Sequence, residues 1–334
     1  MNYNLMFIDW SPSMEAFHIG SFAIRWYSLC WCIGLGAVYL LERYLYKKQG
    51  VDDKKFEPLF VYCFLGILVG ARLGHCMLYE PGYYLTSWNG VMEMILPIKI
   101  GADGWHFAGY EGLASHGGTF GLMVALWFFM RKTGLKLMFI LDNIAIVTPI
   151  CACFIRLGNL MNSEIIGRVT DVPWAFRFFH SGEAMRTLGE DGLPLPRHPG
   201  QLYEAICYAL FFFIGWYFYK RSTRQQSSPA IAANGSSATP ANGSSSAAQK
   251  SDANPSGITV GSGFYFGLCL TLIFVARFFI EYTKELQGGT DDGSTLIDMG
   301  QMLSIPFIVL GVFCMFRARK KAETKTIQHS NAAT

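Results

Sequence analysis

Charge is what this chain has least of. Asp, Glu, Lys and Arg make up only 15% of its 334 residues, against 51% hydrophobic, whereas a soluble domain carries about a quarter charged residues. That deficit excludes an ordinary soluble globular domain and fits a polytopic membrane protein. The formal net charge of +3 says little by itself, because the placement of charge is what matters in a membrane protein, and no nucleic-acid partner is expected. A cleavable signal peptide is also missing: residues 1–20 lack a basic start, a compact apolar stretch and a small-residue cleavage site. The first span must then double as the insertion signal. The nine cysteines form no disulfide or metal pattern and lie in or near apolar runs, where a small side chain serves packing. His and carboxylate spacing gives no HExxH arrangement, so neither a metal nor another cofactor is expected. No internal repeat is visible, which counts against an inverted-repeat transporter.

What the chain has in abundance is long apolar runs. About 20 apolar residues cross a bilayer, and on that rule seven spans are expected, at 22–41, 58–79, 112–130, 137–155, 202–219, 258–280 and 296–316. Arg43, Lys47, Lys48, Lys54 and Lys55 follow the first, and Arg131, Lys132 and Lys136 the third. Lys220, Arg221 and Arg224 follow the fifth, and Arg317, Arg319, Lys320 and Lys321 the seventh. These segments alternate onto one side, which should be the cytoplasm. The N-terminus then lies in the periplasm and the C-terminus, with its basic tail at 317–334, in the cytoplasm. On the opposite side, 80–111 holds a single basic residue, Lys99, and 156–200 holds Arg but no Lys. The expected fold is therefore an all-α polytopic membrane protein, seven transmembrane helices with a small extracytoplasmic cap built from 80–111 and 156–200. Within the latter, TDVPWAFRF has the look of a strand or turn. Spans one to five fall in 1–221 and spans six and seven in 258–316. Between them, 222–257 is rich in Ser, Ala, Asn, Gly and Pro and reads as a disordered cytoplasmic linker. The tail after Lys321 reads the same way.

The stretch RLGNLMNSEIIGR, residues 156–168, directly follows the fourth run. Arg156, Asn159, Asn162, Glu164 and Arg168 place two guanidiniums, two amides and a carboxylate at the mouth of a span, a set suited to a bound phosphate. Gly158 and Gly167 let the backbone bend and approach a ligand. A lone Arg there would read as snorkelling to the headgroups; the cluster reads as a site. Ionisable side chains inside spans are costly unless paired or hydrated, so each is a site hypothesis. Arg25, Arg72, His116, Arg156, Glu204, Arg277 and Glu281 all fall at the outer half or outer mouth of their expected spans. Structural ion pairs have no reason to share one depth. Individually, Arg277 and Glu281 at i and i+4 fit an intrahelical salt bridge, and Glu204 fits a group that orients an Arg. Asp142, Asn143 and Asp298 fit interhelical hydrogen bonds.

These residues resemble the prolipoprotein diacylglyceryl transferases of bacteria. The likeness runs through RWY at 25–27, GARLGH at 70–75, SHGG at 115–118, RLGNLMNSEIIGR, HPGQLYEA at 198–205 and ARFFIEY at 276–282. The resemblance implies an inner-membrane enzyme that moves the diacylglyceryl group of phosphatidylglycerol onto the lipobox cysteine thiol of a preprolipoprotein, releasing glycerol phosphate. By it, Arg156 and Arg277 look like the phosphate-binding pair. Asn159, Glu164 and Gly167 match essential signature positions, Tyr27 the first-span tyrosine, His116 and Gly117 the HGG motif, and Glu281 the sixth-span glutamate. Arg72 and Asn162 complete the candidate substrate contacts. His75 stands where many members carry an aromatic residue, Ile273 where a tyrosine occurs in some, and the linker is longer than usual.

The chemistry suits the residues. A thiol must lose its proton to attack a glyceryl carbon, and the departing phosphate gains negative charge that two arginines can stabilise. His116 has the right titration range for the base, and Glu281 or Glu164 could serve if buried. A membrane transporter or channel for an anionic lipid or small anion is the alternative, with the arginines lining a pathway.

Overall fold

A long apolar run can satisfy its backbone N–H and C=O groups inside a membrane only by coiling into a helix, and helix dominates this chain. The structure, a computed structural model, describes residues 7–20, 22–101, 104–109, 112–227, 258–284 and 299–331. It falls into two units, residues 1–42 with 138–334, and residues 43–137. The elements in order are β1 (Ile8–Trp10), β2 (Glu15–Ile19), β3 (Phe22–Arg25), α1 (Trp26–Lys48), α2 (Asp53–Leu78), α3 (Pro81–Tyr84), α4 (Trp88–Ile95), β4 (Ile98–Gly101), β5 (Gly104–Phe107) and α5 (Ser115–Thr133). They continue with α6 (Leu137–Met161), β6 (Phe176–Phe178), α7 (Gly200–Ser227), α8 (Phe264–Glu281) and α9 (Met299–Asn331).

Five helices among the described residues are long and apolar enough to cross a membrane: Asp53–Leu78, Leu137–Met161, Gly200–Thr223, Phe264–Glu281 and Gly300–Thr324. The other two expected spans are helices too, α1 and α5, but their composition is less apolar. Six Trp and Tyr residues plus Glu42 and Arg43 dilute α1, while Ser115, His116, Arg131 and Lys132 sit at the ends of α5. Residues 22–25, expected at the start of the first span, instead pair as β3 with β2. Helix α7 runs six residues into the stretch read as a linker, and residues 228–257 lie outside those described, as does Asp298. The tail is helical as far as Asn331, in keeping with its Ala, Lys and Glu content.

In the first unit, β1 pairs in parallel with β6, which falls within the TDVPWAFRF segment. Leu160, Ile166, Phe176, Phe178 and Ala184 form a small apolar core there, closed by Trp10 and Leu202. The Trp10 indole donates to the Leu160 carbonyl at 2.9 Å, tying the N-terminal strand to the end of α6.

The buried Asp142 carboxylate of α6 sets the other end of this unit. It accepts from the backbone N–H groups of Gly261 (2.8 Å), Gly263 (2.9 Å) and Phe266 (2.9 Å). Gly263 occupies the N-cap of α8 and has no side chain to satisfy the orphan donors; a carboxylate from α6 does so and complements the helix dipole. Arg156 stands fourteen residues after Asp142, and Arg277 fourteen after Gly263. At 1.5 Å per residue each is about 21 Å along its helix from the shared cap.

In the second unit α2 and α5 pack backbone to backbone. A Cβ on Gly70 would strike the Gly117 carbonyl, and one on Gly117 would strike the Gly70 carbonyl. Beyond α2, the antiparallel β4–β5 hairpin is fastened to α4 by Glu93, which accepts from the Ile100 N–H at 2.8 Å and the Tyr83 hydroxyl at 2.7 Å.

Replacing Asp142 by Ala would leave several helix N–H groups without an acceptor. Each costs about 1–3 kcal/mol when buried, so a drop of roughly 3 kcal/mol or more is expected, read as a lower melting temperature of the detergent-solubilised protein. Melting unchanged from wild type would refute the capping role.

Candidate functional site

The last turn of α6 and the loop behind it carry the densest polar network of the first unit. The half-buried Arg156 side chain directs Nε at the fully buried Glu204 carboxylate of α7. Its Nη1 donates to Asn159 Oδ1 at 3.3 Å. Asn159 in turn donates to Glu164 Oε2 at 3.1 Å, and Asn162 donates to Glu164 Oε1 at 3.0 Å. The loop reverses sharply to bring Glu164 back over its own helix. Ser163 and Ile165 on either side of it both adopt left-handed backbone, φ 55° and 57°, a conformation that costs a β-branched residue about 1–3 kcal/mol. The Gln201 amide donates to the Glu164 carbonyl, which holds the turn against α7.

Gly167 closes the loop. Its N–H donates to the His198 carbonyl at 2.9 Å, the Arg168 N–H donates to the Thr283 carbonyl at 2.8 Å, and Gly167 bridges Lys284. A Cβ on Gly167 would lie 2.5 Å from the His198 carbonyl oxygen and 2.6 Å from that of Thr283. The fully buried Arg197 seals the same junction, donating to the Gly167 carbonyl at 3.1 Å and the Thr187 hydroxyl at 2.7 Å. Beside it, burial holds His198 below the usual histidine range, and its Nδ1 meets the Tyr203 hydroxyl at 3.1 Å.

From α8 come Arg277 and Glu281. The intrahelical bridge open to this pair is not made: Glu281 lies 3.4 Å from the Lys284 ammonium, and among the described residues no carboxylate pairs with Arg277. Lys284 also lies 2.8 Å from Glu204. The buried Tyr208, one turn beyond Glu204 on α7, lies within electrostatic range of both Arg156 and Arg277. Tyr27 packs its ring on Gly158, where a Cβ would lie 3.0 Å from Cδ2. The first unit thus gathers Tyr27, Arg156, Asn159, Asn162, Glu164, Gly167, Arg277 and Glu281.

A family model described as prolipoprotein diacylglyceryl transferase matches residues 14–234. The chain belongs to that family. Among its relatives are proteins named phosphatidylglycerol–prolipoprotein diacylglyceryl transferase. That of Bacteroides fragilis is 46% identical over 326 residues, covering 97% of this chain and 100% of the relative. Those of Porphyromonas gingivalis and Tolumonas auensis are 36% and 34% identical, covering 96% and 93% of this chain and 98% of each relative. In this prolipoprotein diacylglyceryl transferase family member the matched segment ends before α8, but the relatives align over nearly the full chain and so include the Arg277 region.

The remaining expected site residues belong to the second unit. Arg72 is buried and donates to the Glu93 carbonyl at 2.6 Å and the Met94 carbonyl at 3.4 Å, with its guanidinium 4.9 Å from the Tyr84 ring centre. It satisfies orphan carbonyls at the end of α4, a structural task that its place in GARLGH does not signal. Gly117 likewise faces α2. His116 is exposed in the first turn of α5. Glu164 is exposed as well, so the burial on which a base role for it depended is missing.

Lys284, Gln201 and Arg197 were not expected. Lys284 is signalled only by its place one turn after Glu281, and Gln201 by its position in HPGQLYEA. Nothing in the sequence marks Arg197, an arginine in a Pro-rich loop, as fully buried.

Gly167→Ala should destabilise the solubilised protein by roughly 1–3 kcal/mol through overpacking, with the loop displaced from α8. Melting and limited proteolysis within 162–170 provide the readout, and a wild-type pattern in both would show that the junction has slack.

Proposed function

We propose that this chain transfers the diacylglyceryl group of phosphatidylglycerol to the lipobox cysteine thiol of a prolipoprotein, releasing glycerol phosphate. The observation that carries the reading is the convergence of two arginines with unequal partners. Arg156 is fixed by Glu204 and Asn159, while among the described residues no carboxylate pairs with Arg277, and both guanidiniums lie within electrostatic range of Tyr208. A phosphodiester between them would take a planar, multiply hydrogen-bonded grip. Near it, Asn162 Oδ1, Ser163 Oγ and Gln201 Oε1 are buried with no hydrogen-bond partner among the described residues, which supports a ligand bearing hydroxyls, such as a glycerol headgroup.

In the reaction the cysteine thiolate attacks the glyceryl carbon that carries the phosphate. The carbon–oxygen bond breaks, a carbon–sulfur bond forms, and the bond electrons leave on the phosphate oxygen. The arginine pair stabilises that charge as it develops, which is where electrostatic catalysis contributes most. We assign the thiol proton to His116, the histidine of the SHGG motif, whose exposed imidazole has no hydrogen-bond partner among the described residues. The substrate brings the nucleophile, so the protein's own cysteines are not consumed.

The reading includes a membrane arrangement of seven spans, with α1 and α5 joining the five apolar helices. The N-terminus then lies in the periplasm of a bacterial inner membrane and the C-terminus in the cytoplasm. The apolar core around Phe178 and the β4–β5 hairpin would belong to the extracytoplasmic cap. The Lys and Arg clusters after α1, α5, α7 and along α9 support this orientation.

Purified protein given phosphatidylglycerol and a lipobox peptide should release glycerol phosphate in step with peptide lipidation. Arg156→Ala should lower that rate by about a hundredfold or more while leaving the protein folded. Near-normal turnover in the variant would remove the phosphate site, and lipid movement without covalent transfer would favour the transporter.

A further inference from the structure

A binding site for a single anion built from two arginines faces a difficulty inside an apolar protein. Each guanidinium lies near a carboxylate of its own chain that would neutralise it. Glu281 stands one turn beyond Arg277 on α8, at the i, i+4 spacing that favours pairing, and Glu204 already holds Arg156. In a low-dielectric site such pairs strengthen, and an incoming phosphate would have to displace a carboxylate to bind.

Lys284 stands between both carboxylates. Its ammonium is 2.8 Å from Glu204 Oε1 and 3.4 Å from Glu281 Oε2, and its side chain is only 9% exposed. It is not free to move elsewhere. Its backbone bridges Gly167, and its carbonyl accepts from Arg168 Nε at 2.6 Å. Glu281 is thereby turned toward Lys284 and not Arg277, and Glu204 divides its two oxygens between Arg156 and Lys284.

We infer that Lys284 is a positioning residue that holds Glu281, and one oxygen of Glu204, away from Arg277 and so keeps that guanidinium open to the lipid phosphate. This rests on the reading of Arg156 and Arg277 as the phosphate-binding pair. Lys284 itself need not touch the lipid.

The test is equilibrium binding of short-chain phosphatidylglycerol to the full-length protein in detergent, with melting temperature recorded for every variant. Lys284→Met should bind the lipid about tenfold more weakly, because Glu281 is released to collapse onto Arg277. Lys284→Arg should bind like wild type. The combined Lys284→Met, Glu281→Gln protein should recover binding to within about threefold of wild type, since no carboxylate remains to capture Arg277. A lysine that merely held the fold together would not be rescued by removing a second charge. Glu281→Gln alone should bind at least as tightly as wild type, which keeps the inference open to refutation even if Lys284→Met fails to fold. Undiminished binding by Lys284→Met, no recovery in the double variant, or weakened binding by Glu281→Gln would each overturn it. Arg277→Ala separates the two readings: weaker binding there upholds the phosphate site whatever Lys284 does, and wild-type binding removes the site itself.

Discussion

The ion pair between Glu204 and Arg156 is the contact on which the site depends. A buried charge must be met by another charge or by hydrogen bonds, and α7 supplies a carboxylate with almost no solvent contact for that purpose. The arrangement answers two opposed demands. Arg156 has to be held rigidly, or it would drift to the nearest polar surface. It must also keep donors available, since a guanidinium satisfied on every edge has nothing left for a ligand. Glu204 takes Nε and Asn159 takes one bond from Nη1, which fixes the plane of the group and leaves its other donors unclaimed by these partners.

That local clamp would be of little use if α8 could slide against α6. The Asp142 cap prevents it by coupling the two helices at their far ends. Arg156 and Arg277 each stand fourteen residues beyond this contact, about 20 Å by helix rise, so the cap couples the two helices that carry them. At the near end the constraint is steric. Gly167 lies between two backbone carbonyls with no room for a side chain, which locks the signature loop to the residues following α8. The left-handed Ser163 and Ile165 persist because this junction and the Gln201 bond over-determine the loop.

Much of this was legible in the residues. Apolar run length located the helices, and the clustering of Arg156, Asn159, Asn162, Glu164 and Gly167 pointed to the polar network at the end of α6, because costly polar groups near a span need a reason to be there. Glu204 as an orienting group was equally readable. Three things were not. The sequence does not show that Arg72 faces the carbonyl end of α4. Residues 22–25 look apolar enough for a span, yet pairing with β2 decides their conformation, a non-local effect that no run length reports. The pairing of Glu281 with Lys284 instead of Arg277 depends on where the chain turns after α8, and helical spacing alone favours the wrong partner.

Helix α9 is longer than the barrier it serves. Its 33 residues amount to about 50 Å of rise, whereas the hydrocarbon core of a bilayer is about 30 Å thick. The surplus is the end that carries Arg317, Arg319, Lys320 and Lys321, so the chain leaves the lipid as a stiff post and not a loose thread. A fluorescent protein fused to the C-terminus would be held off the bilayer surface at a set height, and the chain's last helix would act as a ruler for whatever is attached to it.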